Sequence, residues 1–265
     1  MTAVSGNNDL VQFGSAAGIA RITINREEKR NALSLATIAQ LLERLDQAER
    51  DPTVKVVILT GVGEKAFAAG ADLDELPGVY ADAGSARQYD DKFSAFYRAL
   101  ELSRLPIIAR MAGAAIGGGC LLALACDIRI AADHVKVGFP VPRIGLMLSP
   151  HEYQLILSQM TLSQAKWLLC TGQMLMRDEA IRFGLVDQIV PMAKLDEAVD
   201  ELARKIVQGA PLAIAASKRI TNAFARQGGS ENIIADSYRS VYPSRDLSEG
   251  LLALKEKRSP NFTGR

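Results

Sequence analysis

The sequence predicts an α/β fold that ends in a helical appendage. Short β-rich runs alternate with stretches of helical periodicity through residues 1–195. From Leu195 onward the chain reads as helical and polar-faced, with Gly209-Ala210-Pro211 as a break. No sequence repeat or low-complexity tract interrupts this order. Alternation of this kind is satisfied by sheets covered with helices. We therefore divide the chain into an α/β core over 1–195 and a helical region over 196–265.

The elements follow in order. Val11–Phe13 and Ile19–Ile24, placed around Gly14 and Gly18, predict a hairpin. Asn25–Asn31 is a polar, charged loop. Ser34 caps a helix running to about Arg50, with Ile38, Leu41, Leu42 and Leu45 on one face. Val54–Thr60 reads as a buried strand. Glu64–Ala71 is expected to be a loop of small residues. Asp72 opens a second helical region, which is broken at Pro77-Gly78 and resumes from Ser85 to Leu102. Next come strand Ile107–Met111, a glycine-rich turn, a buried helix Gly119–Ala125, and strands Asp127–Ala131 and Val135–Phe139. Helices are expected at Pro150–Met160, Ser163–Thr171 and Arg177–Phe183. A strand at Val186–Val190 follows the stop at Gly184.

Composition narrows the function. The chain has 265 residues, 48% hydrophobic and 23% charged, enough to bury a sizeable core. A formal net charge of +1 gives no reason to expect nucleic acid or an acidic membrane as partner. Cys120, Cys126 and Cys170 lack metal-ligand spacing and sit in apolar runs, so we expect reduced core thiols, no metal and a cytoplasmic location. The N-terminus lacks the basic and apolar order of a secretory signal. The most apolar segment, Ile107 to Ala132, carries Arg110, Asp127, Arg129 and a glycine-rich centre. A buried strand–turn–helix–strand path suits it better than a membrane span.

Two segments carry candidate chemistry: Lys65-Ala66-Phe67-Ala68-Ala69-Gly70-Ala71-Asp72-Leu73 and Ala112-Gly113-Ala114-Ala115-Ile116-Gly117-Gly118-Gly119-Cys120. Each is a run of small residues leading into a helix. Small residues let a ligand approach the backbone, and the first N–H groups of a helix have no internal partner. Two such loops facing one another would offer converging donors to a developing oxyanion. Either one alone is also what an ordinary tight turn looks like. Neither fits a phosphate-binding template.

Taken together and in this order, the segments resemble the crotonase, or enoyl-CoA hydratase/isomerase, superfamily. The resemblance includes Asn25-Arg26-Glu27-Glu28-Lys29-Arg30-Asn31-Ala32-Leu33, both loops, Cys126-Asp127, Gly145-Leu146, Thr171-Gly172 with Gly184-Leu185-Val186, and Glu249-Gly250-Leu251 through Phe262. It implies a spiral of ββα units with a C-terminal helical trimerisation region, assembled as a homotrimer or dimer of trimers. It implies an enzyme of the lyase or isomerase class whose substrate is an acyl-CoA thioester, with CoA entering as part of that substrate and no separate cofactor. The N–H groups of Ala71 and Gly118 would form the oxyanion hole. Lys29, Arg30, Ala32, Ala69, Ala71, Asp72 and Leu73 would line the CoA channel, and Lys257 would stand near the CoA phosphates of a neighbouring subunit. Plain solvated charge is the competing reading of Lys29, Arg30 and Lys257.

The chain departs from that pattern at two positions. Family hydratases carry a glutamate immediately after the glycine-rich turn and its cysteine, where this chain has Leu121. They carry a second after a G-x-P element, where Gly138-Phe139-Pro140 leads into Val141. Leucine and valine cannot hold a water or shuttle its proton. Hydration by two glutamates is therefore not expected, and decarboxylation, hydrolysis or isomerisation through a stabilised enolate stands in its place. A non-catalytic acyl-CoA-binding or scaffold protein is the alternative. Ser149-Pro150-His151-Glu152 has the form of a capping box, yet His151 and Glu152 are also the acid/base candidates, because the resemblance aims this helix start at the acyl carbons. His134 is assigned to a surface turn. Asp74, Glu75, Tyr80, Tyr89 and Asp90 are further candidates, whereas Tyr89, Phe93, Phe96 and Tyr97 at helical spacing read as a packing face and Trp167 as core.

Overall fold

In a computed structural model, the structure describes residues 9–80, 82–227 and 231–265. The hairpin is strands β1 (Val11–Ala16) and β2 (Ile19–Ile24), followed by helix α1 (Leu35–Arg50), whose first turn is capped by the Ser34 hydroxyl accepting from Thr37 N. Next come β3 (Val56–Gly61), β4 (Ala66–Ala68), the short α2 (Leu76–Val79), α3 (Ala83–Leu102), β5 (Ile107–Met111) and β6 (Ala114–Ile116). They are followed by α4 (Gly118–Ala125), β7 (Ile128–Ala132), β8 (Lys136–Gly138), α5 (Pro150–Gln159), α6 (Leu162–Thr171), β9 (Met174–Met176), α7 (Arg177–Arg182) and β10 (Gln188–Val190). The C-terminal helices are α8 (Leu195–Val207), α9 (Pro211–Gln227), α10 (Glu231–Val241) and α11 (Arg245–Glu256).

Among the described residues, ten strands make two sheets. One has the order β1-β2-β3-β5-β7-β10, and only its β1–β2 edge is antiparallel. The other has the order β4-β6-β8-β9, with β8–β9 antiparallel. β3 shows why its sequence is continuously apolar. Val57 and Leu59 point into the main core, while Val56 and Ile58 point into a second core formed with Leu195, Val199 and Ala203 of α8. A central parallel strand is buried on both faces, so both faces must be apolar. α8 thus packs its apolar stripe on the sheet.

Several expectations are corrected. Glu64–Ala71 and the glycine-rich turn are not only loops: each holds a three-residue strand, β4 and β6, paired at Ala66–Ala114. Alanine has little strand preference, so the sequence hid them. β9 was not expected, nor was the second sheet. The second helical region begins at Leu76 rather than Asp72, and Pro77 sits in its first turn, where a missing N–H costs nothing. Trp167 is not core: it is 39% exposed and packs its ring 5.4 Å from that of Phe183. Cys170 is exposed, whereas Cys120 and Cys126 are buried. The segment from Ile107 to Ala132 is β5, β6, α4 and β7 in succession, and among the described residues no helix is long and apolar enough to cross a membrane.

Candidate active site

The site is built where the first small-residue loop passes the start of α4. The polar loop before α1 sets its position. Arg30 and Asn31 both adopt the left-handed backbone conformation, with φ 52 and 57. Asparagine tolerates this better than most residues. Asn31 is fully buried, and its side-chain amide donates to Val62 O and Ala66 O at 3.0 and 2.8 Å. The turned chain then runs beside the loop: Ala69 N donates to Arg30 O, Leu33 N to Gly70 O, and Asp72 N to Leu33 O, at 2.8–3.0 Å. In a parallel bridge of this kind, Leu33 pairs with the residues on either side of Ala71, which turns the Ala71 N–H to the opposite side. Arg26 clamps the arrangement with a 2.7 Å ion pair to Asp72 and a 2.7 Å hydrogen bond to Ala32 O.

The second loop meets that N–H. Gly117 precedes α4 with φ 53 and ψ −117, a conformation suited to glycine, and its N–H is fixed by Gly138 O at 2.9 Å. Gly118 is the first helical residue, so its N–H has no partner within the helix. The two loops are nearly in contact. A methyl added to Gly118 would stand 3.4 Å from Ala71 N, and one added to Gly70 would stand 3.4 Å from Gly118 N. The Ala71 and Gly118 N–H groups therefore belong to adjoining, partly exposed loops, the second at the positive end of a helix. Tyr97 of α3 holds the second loop from behind, its hydroxyl donating to Gly118 O at 3.0 Å. Burial pushes the Tyr97 pKa far up, so it remains a donor.

Beyond Leu73 opens a cavity of about 1070 Å³ between α2, α3 and the start of α5. Leu73, Ile144 and Met147 on its wall are 64–71% exposed, an apolar rim without cover in the single chain. His151 lines it, while Glu152 does not. The capping box is closed: Ser149 N donates to the Glu152 carboxylate at 2.7 Å, and Glu152 N donates to Ser149 Oγ at 3.3 Å. Burial raises the Glu152 pKa against those hydrogen bonds. Leu121, one turn into α4, and Val141, in the turn after β8, are both buried in the main apolar core.

The other candidates sort themselves by contact. Tyr89, Phe93, Phe96 and Tyr97 do form a buried packing face. Glu75 is engaged in structure, accepting from Leu35 N and from the Tyr89 hydroxyl. Asp90 accepts from the Tyr80 hydroxyl at 3.2 Å, and burial raises its pKa. Asp74 pairs with exposed Lys29 at 2.6 Å. His134 is exposed, as the turn assignment requires. Lys29, Arg30, Ala32, Ala69, Asp72 and Leu73 lie along the paired segments around Ala71. Lys257 does not join them within one chain. It ends α11, where its neighbour Arg258 pairs with Glu249 at 2.6 Å.

Sequence reasoning missed Ser94, Arg98 and Glu101. With Tyr97 they form one face of α3 turned toward the site. Ser94 Oγ lies 3.0 Å from Ser149 Oγ, and Glu101 Oε2 lies 3.1 Å from His151 Nε2. Polar residues at positions 94, 98 and 101, set into an aromatic face, were the available signal.

The chain is similar in sequence and fold to known proteins. Residues 14–265 match the family described as enoyl-CoA hydratase/isomerase. The chain is 35% identical to a short-chain-enoyl-CoA hydratase of Clostridium acetobutylicum over 91% of its own length and 92% of the relative's. It is 33% identical to a crotonyl-CoA hydratase of Syntrophomonas wolfei, over 92% and 94%. The crystal structure of an enoyl-CoA hydratase from Bacillus anthracis superposes with a TM-score of 0.88 at 33% identity, covering 97% of this chain and 100% of that one.

Proposed function

The chain belongs to the enoyl-CoA hydratase/isomerase family, and on that premise we propose that it binds an acyl-CoA thioester and stabilises its enolate with the N–H groups of Ala71 and Gly118. The observation that carries this is the approach of the two loops, in which a methyl added to Gly118 would stand 3.4 Å from Ala71 N and one added to Gly70 would stand 3.4 Å from Gly118 N. Preorganised donors aimed at developing charge supply the largest single term in many enzymes, about 2.7–4 kcal/mol per donor. The apolar cavity beyond Leu73 takes the acyl group. Lys29, Arg30, Ala32, Ala69, Asp72 and Leu73 line the path of CoA, and Lys257 reaches the CoA of a neighbouring subunit in a homotrimer or dimer of trimers.

The relatives are named as hydratases, which supports a short enoyl-CoA as the substrate class. Leu121 and Val141 argue against the two-glutamate route to hydration. The chemistry we favour is bond cleavage next to the thioester, in isomerisation or decarboxylation, with the electron pair passing to the held oxygen. Decarboxylation, which takes a malonyl-type thioester in place of an enoyl one, asks least of the protein, since loss of CO₂ makes the enolate without a base.

Thermal shift with CoA and with acyl-CoA esters, followed by mass spectrometry of a mixed acyl-CoA pool, tests the reading. A ligand at one hundred times its Kd adds about 2.7 kcal/mol. Stabilisation with turnover supports an enzyme, stabilisation alone supports a binding protein, and no stabilisation by any acyl-CoA refutes both. Hydration of crotonyl-CoA at the rate of a two-glutamate enzyme would refute the assignment of the chemistry.

A further inference from the structure

We infer that His151 and Glu101 form the proton-transferring pair of this site, with His151 exchanging a proton with the α-carbon of the bound thioester and Glu101 holding the imidazole in place. This rests on the acyl-CoA reading above and goes beyond it, because that reading leaves the site without an acid or base.

Four observations carry it. His151 lies on the wall of the substrate-sized cavity. It is only 7% exposed, and its Nδ1 takes no hydrogen bond among the described residues. A buried polar nitrogen without a partner is costly, so such atoms commonly have a functional explanation. Its Nε2 stands 3.1 Å from Glu101 Oε2, with Glu101 itself 5% exposed. The two atoms are at hydrogen-bond distance but not aligned as a bond; a small side-chain rotation aligns them, and catalytic contacts tighten on ligand binding. Last, Glu101 is four residues beyond Tyr97, whose hydroxyl holds Gly118. Residues at this spacing are neighbours on one helix face, so α3 places Glu101 one turn from the residue that holds Gly118.

The pair also spans two spaces. His151 lines the large cavity, and Glu101 lines a second of about 370 Å³ with Asp127, Lys218 and Asn222. A proton can thus pass between substrate and polar surroundings without crossing the apolar wall. In the step, the α-C–H bond breaks, its electron pair delocalises onto the thioester oxygen held by Ala71 and Gly118, and the proton moves to His151 Nδ1, which a rotation of the buried imidazole opens to the cavity. Glu101 accepts from Nε2–H and fixes that tautomer. Return of the proton to the α-carbon restores the acyl-CoA, and return to the γ-carbon of an enoyl chain shifts its double bond. The charged groups around the imidazole are Glu101 and Arg98 from α3 and Glu152 from α5, with Asp127 and Lys218 behind Glu101. Burial, then the Arg98 charge, keep His151 below its usual range against Glu152, which favours the neutral base.

The test is exchange of the α-protons of butyryl-CoA in D₂O, read by mass spectrometry, with binding followed separately by thermal shift. Wild type is expected to bind and exchange. His151→Gln is expected to bind equally and exchange about 10²–10⁴-fold more slowly. Undiminished exchange in that variant, or binding without exchange in wild type, overturns the pair and leaves the carbonyl grip standing. Absence of butyryl-CoA binding overturns the grip as well. Glu101→Gln is expected to move the acid limb of the exchange profile to lower pH, because the imidazolium loses its anion, and Glu101→Asp to restore part of the shift; an unmoved profile refutes the positioning role. Should Glu101→Gln fail to fold, exposed Arg98→Gln gives the opposite displacement, to higher pH, and an unmoved limb refutes the account equally.

Discussion

Replacing Gly118 by alanine separates the carbonyl grip from the fold. The new methyl would sit 3.1 Å from the Tyr97 hydroxyl, 3.4 Å from Ala71 N and 3.6 Å from Gly70 Cα. These are tight contacts but not overlaps, and one neighbour is a hydroxyl that can give. Alanine also regains about 0.5–1 kcal/mol of backbone entropy at a helical position, against about 1–3 kcal/mol for overpacking. The net cost is about 1–2 kcal/mol, or a Tm lower by a few degrees in a chain of this size. The consequence for chemistry is larger. An oxyanion must lie about 2.7–3.1 Å from both donors, and the methyl crowds one of them, standing 3.4 Å from Ala71 N. Turnover of the preferred acyl-CoA should fall by about 10²–10³-fold. Gly119→Ala, whose methyl would lie 1.9 Å from Ala68 O, should not fold, and Gly14→Ala, which meets nothing within 4 Å, should leave melting and turnover as they are. Steady-state kinetics beside thermal melts give the answer. A folded Gly118→Ala protein with wild-type turnover would refute the reasoning.

Other perturbations reach the supports. Tyr97→Phe removes the hydrogen bond to Gly118 O, so melting should show a loss of about 0.5–1.5 kcal/mol and kcat should fall while folding is retained. Lys218→Met should cost about 3 kcal/mol by denaturant titration, since it leaves half-buried Asp127 without its 2.8 Å cation and strips two backbone carbonyls of their donor. Burial alone would raise the Asp72 pKa, but the Arg26 hydrogen bond, the Asp74 N–H and nearby cations together lower it. Its stabilisation is therefore complete above the unfolded value of about 4 and lost as pH falls through the lower folded value. The Tm gap between wild type and Asp72→Asn should be widest near neutral pH and close in acid. His151 has a depressed folded pKa, so the stability it contributes is present above about pH 6.5 and lost as pH falls through that folded value; His151→Gln should flatten the melting profile in that window.

The sequence made the large sheet readable because its strands are buried on both faces and hence continuously apolar, as in β3. It concealed the smaller sheet, whose strands β4 and β6 are runs such as Ala66–Ala68 and Ala114–Ile116 with no pattern of their own. Those strands exist because the flanking loops are pinned, by Asn31 on one side and Gly138 on the other. In the site, the two small-residue loops were legible, and the resemblance pointed to Ala71 and Gly118 within them. What holds the first loop in place was not legible, because it depends on a bridge between Leu33 and Ala71 that no local pattern encodes. Glu101 was invisible for the same reason: its meaning lies in a contact with His151, fifty residues later in the chain. Trp167 and Cys170 show the converse error, since apolar character in α6 does not tell which face meets solvent.

The central claim is that Ala71 and Gly118 polarise a thioester carbonyl. Infrared difference spectroscopy of butyryl-CoA labelled with ¹³C at the carbonyl, bound to wild type and to Gly118→Ala, addresses it directly. Two donors draw electron density toward oxygen and weaken the double bond, so the bound carbonyl band should move to lower frequency in wild type and return toward the free value in the variant. A bound ester whose band stays at its solution frequency in wild type would contradict the account.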